Sequence, residues 1–460
     1  MHAPTISQTL GRFVSELDYT DLPGEVVATA KLRILDTLGA CLASVGMPYA
    51  EAMFDLCRDQ GGPEAASAIG KEQRMPATWA ALYNGSLAHG NDYDDTHSKS
   101  IVHAGGIIVP TALAVSENTG SSGRDLIAAV VGGYEVVARI GMAASTGFHR
   151  QGFHPTGVCG VFSASATAGK LLQLGEAQIA HAFGIAGSQA AGSMEFLEEG
   201  AWTKRMHPGW AAHGGIIAAG LARRGYIGPE KIFEGRYGLY NLYANTVTPD
   251  LSLATARLCE EWEILNTDFK PYPCGHISHP YMDCALKLRR EYDLKPEQIV
   301  SIELRVPTAA VAILCEPLAD KRRPQSSYAA RFSMPYAVAV ILVAGRAGIE
   351  EFADERLGDA VVLDLCARTN YVVDDSLPFP RSFPGWVIIR LKNGTRLEAR
   401  MDASRGSREN PMSEHEVWEK FEANASRTLP PSQVRQLWEA GLKLETTNDI
   451  RPLAQLLAQP

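Results

Sequence analysis

No pair of cysteines stands at the CxxC spacing in these 460 residues, and there is no excess of positive charge, no internal repeat and no low-complexity tract. The eight cysteines (Cys41, Cys57, Cys159, Cys259, Cys274, Cys284, Cys315 and Cys366) are scattered. That argues against a zinc module, an iron–sulfur cluster or a disulfide framework, and suits thiols packed as small apolar groups in a reducing compartment. Lys and Arg number 43 against 52 Asp and Glu, a net charge of −9. A chain of that sign lacks the broad field that gathers nucleic acid or an anionic membrane. Apolar runs such as 336–345 fall short of the ~20 residues that cross a bilayer. Arg12, Glu16 and Asp18 interrupt the N-terminal stretch where an export signal would be apolar. The expectation is a cytoplasmic protein that engages neither nucleic acid nor membrane.

What is present is a globular composition, 46% hydrophobic and 21% charged, in a chain long enough for a sizeable core. Ile6, Leu10, Phe13, Val14 and Leu17 recur near a period of 3.6, and Pro23 opens a second helical stretch holding Val26, Val27, Ile34, Leu38 and Leu42. Ala and Gly are dense between Ala80 and Gly225, which lets helix backbones approach closely. Near residue 266 the texture changes. Val300, Ile302, Leu304 and Val306 alternate with polar residues as in a half-buried strand. The runs 386–392 and 395–401 flank Asn393-Gly394, which predicts a hairpin with a type I′ turn. Helical patterns lie at 330–343 and 359–367. Beyond Asp402 helices return, with Ser413 and Pro431 as start signals. The fold class expected is mainly α: a large helical domain from 1–267 and 403–460, with a smaller α+β domain, 268–402, inserted.

Three polar clusters interrupt the apolar background. In the first, His89, Asp92, Asp94, Asp95, Thr96 and His97 are followed by His103. A helix there would put His89, Asp92 and Thr96 on one face, where a carboxylate could orient an acid–base imidazole. A solvated acidic turn is the plainer alternative, and a metal site using His89, Asp94, Asp95 and His97 the weaker one, for want of an HExxH-type spacing. In the second, His154-Pro155-Thr156 begins a small-residue helix, whose free N–H groups could receive a carboxylate or simply be capped. In the third, Lys204 lies three residues before His207, and Lys270 six before His276, beside Pro and Gly turns. Two such lysines in an acidic chain suit the grip of an anionic substrate, although a lone turn lysine is usually solvated.

In order along the chain, NGSLAHGNDYDDTH near residue 90, GFHPTGVCGVFSASATAGKLLQL from 152, TKRMHPGWAAHGG from 203, FKPYPCGHISHPYMDCAL from 269, YAARFSMPYAVAVIL from 328 and GSRENPMS from 406 resemble the MmgE/PrpD family. This family includes 2-methylcitrate dehydratase, cis-aconitate decarboxylase and an iminodisuccinate epimerase. The resemblance implies the same two-domain helical architecture, usually as a homodimer, and a cofactor-free, metal-free active site between the domains. It places Asp92, His103, His154 and His276 as catalytic residues, with Thr96, Lys204 and Lys270 binding substrate. Tyr93 stands where Phe is commoner, and Ala104 where Pro is usual.

The function expected is that of a lyase on a small di- or tricarboxylic acid. The lysines would neutralise the substrate and stabilise enediolate-like charge, and His103, supported by Asp92, would move a proton α to a carboxylate with His154 or His276 assisting. Loss of water as in a 2-methylcitrate-type dehydratase is the first expectation. Decarboxylation of cis-aconitate, or epimerisation, is the alternative, since one acid–base set serves all three. A metal-dependent hydrolase and a non-catalytic metabolite-binding relative stand further off. The basic loop 319–327, with Lys321, Arg322 and Arg323, is a further candidate clamp, or a solvated loop.

Overall fold

The structure, a computed structural model, describes residues 3–379 and 382–458. The chain divides into two compact units. One comprises Met1–Gly90, Asp94–Thr267 and Ser413–Pro460, the other Asn91–Tyr93 and Asp268–Met412.

The first unit is helical and follows its sequence signals closely. Helix α1 (Ile6–Glu16) starts at a capping box in which the Thr5 hydroxyl accepts from the Gln8 N–H and the Gln8 side chain accepts from the Thr5 N–H. It buries Leu10, Phe13 and Val14. Pro23 precedes α2 (Gly24–Leu42), and α3 (Ala77–Ala88), α4 (Gly105–Thr119), α5 (Gly123–Ala144), α6 (Pro155–Leu171) and α7 (Thr203–Arg223) follow. The small residues bring α7 against two neighbours. A Cβ on Gly85 would lie 2.6 Å from the Gly209 Cα, and one on Gly215 2.3 Å from the Ala164 Cβ. Side chains at these positions would force the helices apart and carry the start of α7 with them.

Helix α5 corrects the expectation about apolar runs. Its 22 residues are long and apolar enough to cross a membrane by length and composition, with a mean hydropathy of 1.6 over an 18-residue window. That window is 94% buried inside the unit, and the helix carries the buried Glu135–Arg139 ion pair at 3.0 Å, so α5 is explained as a core helix.

The second unit pairs helices with a four-stranded sheet. Helix α8 (His279–Glu291) leads to β1 (Ile299–Val306), α9 (Met334–Ala344), β2 (Thr369–Val373), β3 (Gly385–Leu391) and β4 (Arg396–Met401). The sheet order is β2-β1-β3-β4, parallel between β1 and β2 and antiparallel elsewhere. Ile302, Leu304 and Val306 join Val387 and Ile389 in a core completed by Met282 of α8 and Val338 of α9. Three details differ from the sequence reading. A register shift between Ile299 and Ser301 turns Ile299 inward and leaves Val300 exposed, the effect of a bulge on a period-2 pattern. The hairpin forms, but of Asn393-Gly394 only Gly394 has positive φ (84°), and its N–H donates to the Leu391 carbonyl. A three-residue connection with glycine in the left-handed region replaces the type I′ turn. The helical run expected at 330–343 is interrupted, with Ser327–Arg331 separate from α9.

After Met412 the chain rejoins the first unit through α10 (Glu414–Ala425), capped by Ser413, and α11 (Pro431–Leu442). On α10 the buried Lys420 ammonium lies 2.7 Å from Asp36 of α2. The return falls at Ser413 and not directly after Asp402. In between, the Phe269 N–H donates to the Gly406 carbonyl and Arg405 lies over the Tyr272 ring, holding 403–412 in the second unit.

Candidate active site

The segment after α3 is not helical. His89 is the C-cap and the chain then turns, with Asp92 at φ 52°. The shared face of His89, Asp92 and Thr96 is therefore not formed, because Gly90, Asn91 and three aspartates in four residues favour a turn. Nor is it a solvated surface turn, since Asp92, Asp94 and Asp95 are all buried. Each carboxylate faces a different partner. Asp94 lies 2.9 Å from His89 Nδ1. Asp95 accepts from the Tyr134 hydroxyl at 2.5 Å and the Gly105 N–H at 2.8 Å, with Arg33 3.6 Å away. Asp92 belongs with the second unit and pairs with Lys270.

Within the helical unit the expected residues Thr96, His103, His154 and Lys204 come together with His89 and His207. His103 Nδ1 lies 3.0 Å from the Asp95 carbonyl and 3.1 Å from the Thr96 hydroxyl. A carbonyl only accepts, so Nδ1 carries the hydrogen, and proton exchange by this ring runs through Nε2. The backbone N–H of His103 donates to the Thr156 hydroxyl at 3.1 Å, tying this turn to the first turn of α6. His103 is thus oriented by Asp95 and Thr96, the role the sequence reading gave to Asp92. Its ring lies 4.7 Å from that of His89 and 6.0 Å from that of His154. His154 precedes α6, and its Nδ1 lies 3.0 Å from His207 Nδ1 on α7. Burial holds His154 well below the usual imidazole range, reinforced by His207 and Lys204. Burial and then Lys204 bring His207 down to about 4. His89 and His207 stand in the family-like motifs, but their partners, Asp94 and His154, are visible only once the chain is folded.

In the second unit the expected Asp92, Lys270 and His276 come together around a fully buried ammonium. Lys270 Nζ lies 3.2 Å from Asp92 Oδ2 and donates to the Asp92 carbonyl at 2.9 Å. Tyr93 donates its hydroxyl to the Pro271 carbonyl, the hydrogen bond that the commoner Phe would lack. Arg331 donates to the carbonyls of Asn91 and Pro273 and to the Asn91 side chain. These bonds account for residues 91–93 clustering with this unit. Arg331 lies in the YAARFSMP stretch, yet nothing in the sequence marks it as the anchor of Asn91. His276 Nε2 lies 3.6 Å from Asp268, and burial, followed by Lys270, lowers its imidazole to about 3. In the basic loop, Lys321 donates to the Ile313 and Phe332 carbonyls and Arg322 to Thr369 and Asn370, so both hold backbone in place.

The metal set suggested by the sequence does not assemble. His97 is taken by Ser100 and Glu263, and Asp95 by Arg33 and Tyr134, leaving only His89 and Asp94 of that set in contact. A different trio, His89, His103 and His154, brings one ring nitrogen each within 4.8 Å of the others and could hold a cation. Lys204 already acts on His154 with a positive charge, which weighs against a second cation there, whereas the Asp94 contact at His89 Nδ1 is compatible with either use of that ring. The donor set therefore suits proton exchange better than a second cation.

Residues 8–252 match the MmgE/PrpD N-terminal domain and residues 272–446 the MmgE/PrpD C-terminal domain. The chain is 28% identical over 473 residues to a cis-aconitate decarboxylase-like protein of Aspergillus oryzae, covering 98% of this chain and 97% of that one. It is 27% identical over 478 residues to a cis-aconitate decarboxylase of Aspergillus terreus, covering 99% and 96%. To the cis-aconitate decarboxylase of Homo sapiens it is 28% identical over 475 residues, covering 100% and 96%. These relatives carry the decarboxylase name, and they favour the alternative reading of the sequence over the 2-methylcitrate dehydratase expected first. With both domains matched in order, the chain belongs to the MmgE/PrpD family.

Proposed function

We propose that the protein is a lyase that decarboxylates a small unsaturated tricarboxylic acid of the cis-aconitate type. The observation that carries this reading is the buried set of imidazoles in the helical unit, His89, His103, His154 and His207, with Lys204 acting on the last two. Similarity to cis-aconitate decarboxylases along nearly the whole chain supports it.

In the reaction the bond from the methylene carbon to its carboxylate breaks, and that electron pair becomes a new carbon–carbon double bond. The π pair of the old double bond moves to the carbon α to a retained carboxylate, which takes a proton. CO₂ leaves and the trianion becomes a dianion. Charge builds up on the retained carboxylate as an enediolate, and a preorganised cation such as Lys204 stabilises it without reorganising. The proton comes from the His103–His154 pair, with His103 delivering it from Nε2 while Nδ1 stays on the Asp95 carbonyl. Thr96 fixes the ring through the same nitrogen. In the second unit the proposed roles are a substrate-binding charge for Lys270, paired with Asp92, and an assisting acid for His276.

An NMR time course in deuterated water with cis-aconitate, citrate, 2-methylcitrate and iminodisuccinate tests this. The expected result is loss of CO₂ from cis-aconitate with one deuteron at the carbon α to a retained carboxylate. Dehydration of 2-methylcitrate with cis-aconitate untouched would overturn it.

A further inference from the structure

The proposed reaction turns a trianion into a dianion and CO₂, so it consumes one proton per turnover, whereas removing water from a citrate-type acid consumes none. A buried set of imidazoles must therefore be recharged from solvent, and the helical unit contains a route of the right kind. A cleft of about 460 Å³ opens on its surface, lined by Gly192, Glu195, Phe196, Glu199, His207 and Trp210 among others. Glu195 and Glu199 are exposed, and no Lys or Arg is among the lining residues. An acidic rim repels a tricarboxylate and attracts protons, so the cleft suits a proton better than the substrate.

Among the residues lining the cleft is His207, only 6% exposed, with Nδ1 3.0 Å from Nδ1 of His154. The His154 ring in turn lies 6.0 Å from that of His103 and 5.7 Å from that of His89. Gly192 packs directly against this pair, since a Cβ there would lie in van der Waals contact, 3.4 Å from His207 Nδ1 and 3.6 Å from the His154 Cβ. Its carbonyl also accepts from the His154 N–H at 2.8 Å, fixing His154 to the cleft wall.

We propose that His207 is a proton relay, binding a proton from cleft water on Nε2 and passing the one on Nδ1 to His154. His154 then releases a proton from its own Nε2 towards His103, which has just protonated the substrate. Each imidazole gains one proton and loses one, which leaves both rings in the opposite tautomer, and rotation of both rings restores the starting arrangement before the next turnover. Lys204, one turn earlier on α7, and His154 act on His207, and the carboxylates Glu195 and Glu199 line the same cleft. Lys204 disfavours a lasting positive charge on either ring, so the proton passes through and does not rest there. His207 acts through His154, and its role is to supply protons to the reacting pair.

The relay rests on the decarboxylase reading, so turnover of cis-aconitate by the unaltered protein is measured first. Its absence would remove both reading and relay. Given turnover, His207→Gln should lower kcat roughly tenfold or more, up to the ~10²- to 10⁴-fold of a general acid–base contribution. KM should stay unchanged, the solvent isotope effect should grow, and added imidazole, small enough for the cleft, should restore part of the rate. Glu195→Gln/Glu199→Gln, on exposed side chains that leave the fold intact, should make kcat fall at a lower pH than in the unaltered protein, where protons are scarcer. Unchanged kcat and isotope effect in His207→Gln would overturn the relay while leaving the reading standing. If that variant does not fold, or loses rate without rescue, the rim variant decides: an unaltered pH profile for kcat removes the relay.

Discussion

The two units each bury a lysine beside histidines, and they do it in opposite ways. In the helical unit burial, reinforced by Lys204, disfavours the charged form of His154 and His207, and the histidines are held by contacts to Asp94, to the Asp95 carbonyl and Thr96 hydroxyl, and to one another. In the second unit Lys270 has no exposure and is held by both the carboxylate and the carbonyl of Asp92. The first arrangement keeps protons exchangeable, and the second fixes a charge.

The sharpest break in that contrast comes from removing the fixed ammonium. Lys270→Ala leaves the buried Asp92 carboxylate without the cation it pairs with, and should destabilise the protein by about 3–5 kcal/mol in denaturant unfolding. Asp92→Asn/Lys270→Met should recover much of that loss. Equal stability of Lys270→Ala and the unaltered protein would show that the pair is not the fixed element described. In the exchangeable cluster, His103→Ala should leave unfolding nearly unchanged and lower kcat about 10²- to 10⁴-fold. A kcat within about twofold of the unaltered value would take His103 out of the acid–base role.

Acid should reveal what the two clusters share. His207 at about 4, His276 at about 3, and His154 and His279, both well below the usual range, all have folded pKa values depressed by burial. The unfolded chain then binds more protons than the folded one between these values and the ordinary imidazole pKa of about 6.5. The stability they contribute is complete above about pH 6.5 and is lost as pH falls towards the folded values, at up to about 1.4 kcal/mol per pH unit for each histidine. Melting temperature followed from pH 7 to pH 4 should fall, and His276→Gln should flatten the curve. Lys204→Met should move the His207 titration upward by NMR, because one of the charges depressing it is gone. No movement would mean burial alone sets it.

The architecture was largely legible because its signals are local. Pro23, Ser413 and Pro431 mark helix starts where expected, and the alternation of Ile302, Leu304 and Val306 marks the central strand. The parallel strand Thr369–Val373 escaped notice because its outer residues Val372 and Val373 are exposed, so it has no clean alternation. At the candidate site, motifs brought most of the chemical groups into view but misassigned their pairing. Asp92 and Asp94 are two residues apart, yet the first pairs with Lys270 and the second with His89. Which carboxylate meets which partner is decided by a turn with Asp92 at positive φ, and by Arg331 holding Asn91 from 240 residues away. Neither leaves a periodic trace.

The smallest effects should come from the cysteines, and they mark where the contrast between exchangeable and fixed groups ends. Cys41, Cys57 and Cys366 are buried, and burial pushes the thiols of Cys57 and Cys366 up to about 12, so none of them supplies a thiolate near neutral pH. Cys→Ala at these positions removes a small apolar group and should cost about 1 kcal/mol of stability with kcat unchanged. Among the described residues, Cys259 is the one exposed cysteine. Alkylation of the folded protein should therefore modify that residue first, as mass spectrometry of peptides would report, and leave activity intact. Loss of activity on modifying Cys259, or in any of the three alanine variants without loss of stability, would require a thiol in the chemistry. The proton path would then have to be drawn through sulfur as well as imidazole.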